Sequence, residues 1–481
     1  MNFSSQFRRY GMGPLSIKTL WVGAGKAVQF LAWLLTLAVL VRRLDRHAFG
    51  VFQQGWLLVS TLTPILLLGL PQGINYLLSR GSSEERRQSV WLGVLLTSAL
   101  AGIVGLVFIF HPQMAGWIVG EQSIVPLISV LVLVIWSNLP GNFLEPLAIF
   151  REQQKALLWI QTLYWTAFGA VAILLGARGN LLHVFAGLAV VGLARSAVTL
   201  AFVFRHFGGW QRNTNAATWR AIGSMALFLG PVAVVDVLSV QIDKYVVSQR
   251  FGANGFAIYS LGSIEVPFIP LLLAAVTSTL MPELSLLLST GSRDEALSLL
   301  RRSMEKLGYL ILPLFFYLLL FGRLWIPLAF GVRYQGVIPV FIVFLFLVPL
   351  RSLNLHPIFI GGGLQKYLLR GRVLDVGLNF AGSIMLAGTS LGLLGPAVAA
   401  VGATVVHKIY QTAVLQREFK QPLRQVYPWD AFAKTSAWSA VGAVLAYGLA
   451  NIAFAQEITQ AIAGSILFGA WMLFWWRRSL A

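Results

Sequence analysis

Lys26, Arg195, Arg351 and Lys408 each lie close to the middle of a long apolar run. A cation that faces hydrocarbon at such a depth costs about 2.5–3.5 kcal/mol on insertion scales, so these side chains are expected to turn inward. There they can meet phosphate or carboxylate oxygens, the guanidinium through paired N–H donors and the ammonium as a point charge. The four together read as a receptor for an anionic cargo. The competing use of each is structural, as the partner of an intramembrane acid, and Lys26 is near enough to one end of its run to snorkel.

Acids at comparable depth are few. Asp236 stands near the middle of the seventh apolar run, where Asp236, Ser239 and Asp243 repeat at i, i+3 and i+7 on one helix face. Burial raises a carboxyl pKa and couples its protonation to conformation. Asp236 is therefore a candidate for coupling to H+ or Na+, with neutralisation of a central cation as its alternative. Asp243 and its neighbour Lys244 are read as a mutual pair or as lining of an outer vestibule. Asn138, Asn142 and Glu145 repeat at i, i+4 and i+7 beside Pro140 and Pro146. Glu145 lies near the cytoplasmic end with Arg151 close by, so an interfacial salt bridge is its first reading and ion coupling its second. Glu265 is the third coupling candidate, and Pro267 and Pro270 after it predict a local distortion.

The elements that must position these groups are membrane spans. The chain has 481 residues, of which 57% are hydrophobic and 11% charged, whereas soluble proteins carry about 25% charged residues. Fourteen segments are apolar over the length that crosses a bilayer, which requires helices because lipid offers backbone groups no partners. The fold class expected is an all-α polytopic membrane protein. Met1–Lys18 is polar, and the apolar run after it is too long for a secretory leader, so a retained first span is expected.

The net charge of +19 is explained by topology. With the N-terminus inside, most Lys and Arg fall in cytoplasmic segments, among them Arg80, Arg86, Arg87, Arg301, Arg302, Lys306, Lys366, Arg370 and Arg372. Both termini are then cytoplasmic. Anionic lipids are expected partners of these basic loops, and nucleic acid is not needed.

The chain also repeats itself. Arg43–Phe52 aligns with Arg250–Tyr259, Leu77–Glu85 with Leu287–Glu295, and Leu144–Leu158 with Leu355–Leu369, in the same order and at a nearly constant offset. The expected organisation is an N-terminal six-helix lobe over 1–205, a cytoplasmic linker over 206–220, a second six-helix lobe over 221–416, and two additional helices over 417–481. Two pseudo-symmetric six-helix bundles in the same orientation follow, because an even number of spans separates the repeats. Aligning Arg205 with Arg417 sets Arg195 over His407, next to Lys408.

Several activities lack their residues. There is no GxxxxGK[ST] loop for nucleotide phosphates and no HExxH. The chain has no cysteine, and its six histidines are scattered, so neither a disulfide nor a metal site is expected. No cofactor is expected beyond a coupling H+ or Na+. No loop is long enough for a catalytic domain, which leaves transport rather than catalysis as the expectation.

The stretch Leu44–Phe52 followed by Gly69-Leu70, and Gln241-Ile242-Asp243-Lys244 leading to Phe251-Gly252 and Tyr259, resemble the repeat signatures of polysaccharide flippases in the multidrug/oligosaccharidyl-lipid/polysaccharide (MOP) exporter superfamily. The resemblance spans essentially the whole chain in helix number, while its local motifs are short. It implies a V-shaped pair of six-helix bundles in a bacterial inner membrane. It also implies translocation by alternating access of an undecaprenyl-diphosphate-linked oligosaccharide, from the cytoplasmic to the periplasmic leaflet, for O-antigen or lipopolysaccharide assembly. The polysaccharide polymerase machinery is an implied partner. A diphosphate needs cations around it, and Lys26, Arg195, Arg351 and Lys408 are the candidates by depth. Fourteen spans rather than twelve are similar to the peptidoglycan lipid II flippase. A cation-coupled multidrug exporter of the same superfamily is the alternative, although four central cations against one acid oppose it. A membrane-embedded transferase using the same lipid carrier is the alternative from another class.

Overall fold

The computed structural model describes residues 14–210, 215–266 and 268–479. Among these, every regular element is helical, and 12 helical segments are long and apolar enough to cross a membrane. The chain divides into two compact units, residues 1–257 and 258–481.

In unit 1, α1 (Pro14–Arg43) is followed by α2 (Arg46–Leu67), α3 (Leu70–Arg80), α4 (Ser83–Phe110) and the short α5 (Gln113–Val119). Then come α6 (Ile128–Asn138), α7 (Leu144–Phe150), α8 (Gln154–Gly176), α9 (Leu181–Phe207) and most of α10 (Ala216–Gly262). Local chemistry sets the breaks. Asp45 caps α2 by accepting from the Ala48 N–H, and Ser82 with Glu85 forms a reciprocal capping box on α4. Between α2 and α3 the backbone turns left-handed at Leu68 and Gly69, with φ of 52° and 67°. A Cβ on Gly69 would lie 2.8 Å from that of Leu229, so both the conformation and the close approach demand glycine.

The outer end of α10 is held within unit 1 by polar groups. Gln54 Nε2 donates to Ser248 Oγ at 2.9 Å, Ser248 Oγ donates to the Val119 carbonyl, and Gln249 Nε2 donates to the Ile118 carbonyl at 3.0 Å. Gly50 allows α2 to press directly on the backbone of Ala253. The seventh and eighth apolar runs are therefore joined through a single non-helical residue, Gly252, at φ 61° and ψ −169°.

Unit 2 contains α11 (Phe268–Ser289), α12 (Arg293–Phe330), α13 (Val337–Leu345), α14 (Leu347–Ser352), α15 (His356–Gly361), α16 (Gln365–Ala387) and α17 (Leu394–Phe419). After the single turn α18 (Leu423–Val426), α19 (Trp429–Ala453) and α20 (Glu457–Ser479) complete it. Part of its element order parallels that of unit 1. A serine turn precedes α12 as Ser82 precedes α4, and the broken run α13–α14–α15 leads to α16 as α6–α7 leads to α8.

Three spans differ from the hydropathy reading. The tenth run is broken at Leu353–Leu355, between Pro349 and Pro357, because proline removes donors that a continuous helix needs. The ninth is one helix of 38 residues, about 57 Å at 1.5 Å per residue, so its basic first half extends beyond the apolar part. The eighth is interrupted at Ser263–Val266, the distortion that the prolines after Glu265 predict; Pro267 itself lies outside the described residues.

The C-terminal pair docks on α12. Tyr317 stacks on Phe321 and Phe468, Trp438 stacks on Trp471 at 4.5 Å, and Tyr317 Oη is bonded to Ser465 Oγ at 2.6 Å. Gly442 and Gly464 make room for Trp471 and Phe321.

Candidate functional site

Each unit carries its own intramembrane charges. In unit 1, α1 packs along α8, which places Lys26 within reach of the broken fourth span. Its Nζ lies 2.9 Å from Glu145 Oε1. Glu145 thus pairs with Lys26 and not with Arg151, whose guanidinium donates to the His206 carbonyl. The sequence separation of Lys26 and Glu145 hid this pair.

Arg195 on α9 faces the break between α6 and α7. Asn138 ends α6, and residues 140–143 form a 3-10 turn, since Pro140 cannot donate within a helix. Glycines let the segments approach: a Cβ on Gly141 would lie 2.9 Å from Arg195 Cδ, and one on Gly192 would lie 2.4 Å from Ser137 Oγ. The Arg195 guanidinium sits 4.6 Å from the centroid of the Tyr164 ring, a cation–π arrangement. Tyr164 Oη in turn donates to Asn138 Oδ1 at 2.7 Å, and Asn142 Nδ2 donates to the Asn138 carbonyl at 2.9 Å. The polar series on the fourth span therefore serves as a second layer behind Arg195.

In unit 2, Arg351 on α14 pairs with Glu265 at 2.8 Å. Glu265 lies in the interruption before α11, where a chain without helical bonds can bring its carboxylate to the arginine. Arg351 Nε is buried and has no hydrogen-bond partner among the described residues. Lys408 on α17 donates to the Leu353 carbonyl at 3.0 Å, a carbonyl freed by the break after α14. Lys408 also feels the charges of Arg351, Arg372 and Asp375.

Asp375 is the acid that hydropathy reading missed. It is 3% exposed, with its Oδ2 3.7 Å from Arg372 Nη1 and 4.0 Å from His407 Nδ1. Arg372, assigned from sequence to a cytoplasmic loop, lies two turns inside α16. The available signal was Asp375, Asn379 and Ser383 at i, i+4 and i+8, all buried, with Ser383 Oγ donating to Asn379 Oδ1 at 3.0 Å. α16 carries the eleventh apolar run, in which averaging over a window hides a single acid, and its 23 residues are sufficient to span. His407, set over Arg195 by the repeat, is 5% exposed and serves Asp375.

The remaining candidates are on α10. Asp236 has an exposed side chain within its unit, and Ser239 Oγ donates to its carbonyl at 2.8 Å. Asp243 is 1% exposed. Lys244 donates to Gln241 Oε1 at 3.0 Å, and Gln241 Nε2 donates to Ser60 Oγ at 3.3 Å. Among the described residues no group of three His, Cys, Asp or Glu could hold a metal ion.

Outside the spans, Glu121 ties the loop after α5 to the start of α2. It accepts from the Ser123 N–H and hydroxyl at 3.2 and 2.9 Å and lies 3.5 Å from His47 Nε2. Partial burial pushes its pKa up, but these hydrogen bonds and the His47 charge outweigh it and hold the carboxyl below its ordinary value.

This helical fold is that of MOP-superfamily transporters. The lipid II flippase MurJ in its inward closed conformation superposes with a TM-score of 0.71 at 12% identity, over 95% of this chain and 100% of MurJ. An inward-facing multidrug resistance MATE family transporter of the MOP superfamily gives 0.59 at 16% identity, over 84% of this chain and 94% of that one. A MOP superfamily transporter from Pyrococcus furiosus, described by the reverse polarity of its binding pocket, gives 0.58 at 14% identity, over 84% and 94%. No curated protein matches the sequence. Residues 16–288, more than half of the chain, match the family described as polysaccharide biosynthesis protein, and the chain belongs to that family.

Proposed function

We propose that the protein is a flippase that moves an undecaprenyl-diphosphate-linked oligosaccharide from the cytoplasmic to the periplasmic leaflet by alternating access, for O-antigen or a related surface polysaccharide. The observation that carries this reading is the way the deep cations are held. Lys26 and Arg351 are matched by Glu145 and Glu265. Arg195 and Lys408 rest instead on neutral groups, an aromatic ring and a backbone carbonyl, which orient a cation without cancelling its charge. A half-buried cation oriented in this way favours an anionic ligand such as a diphosphate. The family description and the MurJ-like fold support the same reading.

Coupling to H+ or Na+ through Asp236, Glu265 or Glu145 belongs to the proposal. Glu265 and Glu145 would couple by releasing their basic partners when protonated. The lobes 1–205 and 221–416, with 417–481 as an added pair, are proposed as the evolutionary repeat. The bacterial inner membrane with both termini cytoplasmic is the proposed location.

The test is leaflet exchange of a fluorescent undecaprenyl-diphosphate oligosaccharide in liposomes. Wild type should exchange it, whereas Arg195→Ala and Lys408→Ala should fail while remaining folded. Efflux of a cationic dye under an ion gradient, without exchange of the lipid, would replace this reading with a multidrug exporter. Product formation from the lipid carrier in detergent would replace it with a transferase.

A further inference from the structure

The hairpin of α11 and α12 encloses an open cleft of about 470 Å³, whose lining includes neither Arg351 nor Lys408. Its walls include Val276, Leu280 and Leu299, and its charged groups are Glu283, Arg302 and Lys306. Arg302 and Lys306 are at i and i+4, so they share one face of α12. The apolar part of α12 begins at Leu307, which sets both cations at the level where a membrane changes from headgroups to acyl chains. Among the described residues Glu283 forms no ion pair with either of them. Charges of both signs thus line one cleft without neutralising each other, beside an apolar wall.

We propose that this cleft binds an amine-bearing glycerophospholipid of the leaflet that the basic loops face. The phosphodiester sits between Arg302 and Lys306, the ammonium of the headgroup meets Glu283, and an acyl chain lies along Val276 and Leu280. Two cations and one acid complement a zwitterionic headgroup, whereas a headgroup that is purely anionic gains nothing from Glu283 and is opposed by it. The site is independent of the flippase reading and stands or falls separately from it.

The test uses the full chain in detergent, mixed singly with phosphatidylethanolamine, phosphatidylglycerol or undecaprenyl diphosphate, with bound lipid counted by native mass spectrometry. Wild type should retain phosphatidylethanolamine over phosphatidylglycerol. Arg302→Ala/Lys306→Ala should lower retention of phosphatidylethanolamine by roughly tenfold or more. Glu283→Gln should abolish the preference between the two phospholipids while leaving phosphatidylglycerol bound. All three positions are exposed, so the lipid-free melting temperature of each variant should match that of wild type. Equal retention of the two phospholipids by wild type would overturn the proposal, as would unchanged phosphatidylethanolamine binding in the double variant. Preferential retention of undecaprenyl diphosphate that depends on Arg302 and Lys306 would assign the cleft to the polyprenyl lipid instead.

Discussion

Arg195 lies over the ring of Tyr164, and the hydroxyl of that same tyrosine is bonded to Asn138 at the end of α6. One aromatic residue on α8 therefore connects a deep cation on α9 to the break in the fourth span. A carboxylate in the position of the ring would fix Arg195 more tightly but would cancel its charge. The ring keeps the guanidinium oriented and available.

Replacing Tyr164 with Phe keeps the ring and removes the hydroxyl. Asn138 Oδ1 then loses its donor, which should lower stability by about 1–3 kcal/mol, read as a fall in melting temperature. Lipid exchange should fall less than in Arg195→Ala, because the guanidinium and the ring both remain. Exchange as low as in Arg195→Ala would show that the hydroxyl itself is needed.

Asp375 is the buried counter-charge for Arg372 and lies beside the His407 ring, so Asp375→Ala leaves Arg372 without this carboxylate inside the helix pair α16–α17. Breaking a buried pair from one side costs about 3–5 kcal/mol. The variant is expected to express poorly or to melt well below wild type. Asp375→Asn, which keeps the shape and an acceptor, should lose less.

Gly464 faces Phe321 so closely that a Cβ would lie 2.1 Å from its ring, and one on Gly442 would lie 2.2 Å from Trp471. Gly464→Leu should force α20 off α12 at a cost of about 1–3 kcal/mol or more. The measurement is protease accessibility of the loop between α19 and α20, which should rise. Unchanged accessibility would mean that Phe321 yields instead.

The Glu121 carboxyl has a pKa below its ordinary value. Its contribution to stability is therefore complete above the unfolded glutamate pKa, and it is lost as pH falls from there through the lower folded value. Wild type and Glu121→Gln should differ in melting temperature at neutral pH and converge in strongly acidic buffer. A difference that persists at low pH would assign the effect to hydrogen bonds rather than to the charge.

The sequence by itself determined the fold class, because 57% hydrophobic residues in bilayer-length runs leave only helices that satisfy their own backbone. It also carries matching stretches, in which Gly81, Ser82 and Pro146 stand where Gly291, Ser292 and Pro357 stand later in the chain. It singled out Lys26, Arg195, Arg351 and Lys408 by the cost of burying charge, a property of each residue alone. Only the tertiary structure decided their partners. Lys26 with Glu145, Arg351 with Glu265 and Arg195 with Tyr164 are set by which helices pack and where spans break, and hydropathy averages over both. Asp375 shows the limit most clearly. Its charge lies inside a run that hydropathy already reads as a span, yet burial against α17 is what makes that charge matter, and that burial depends on a helix contact that no local window of sequence contains.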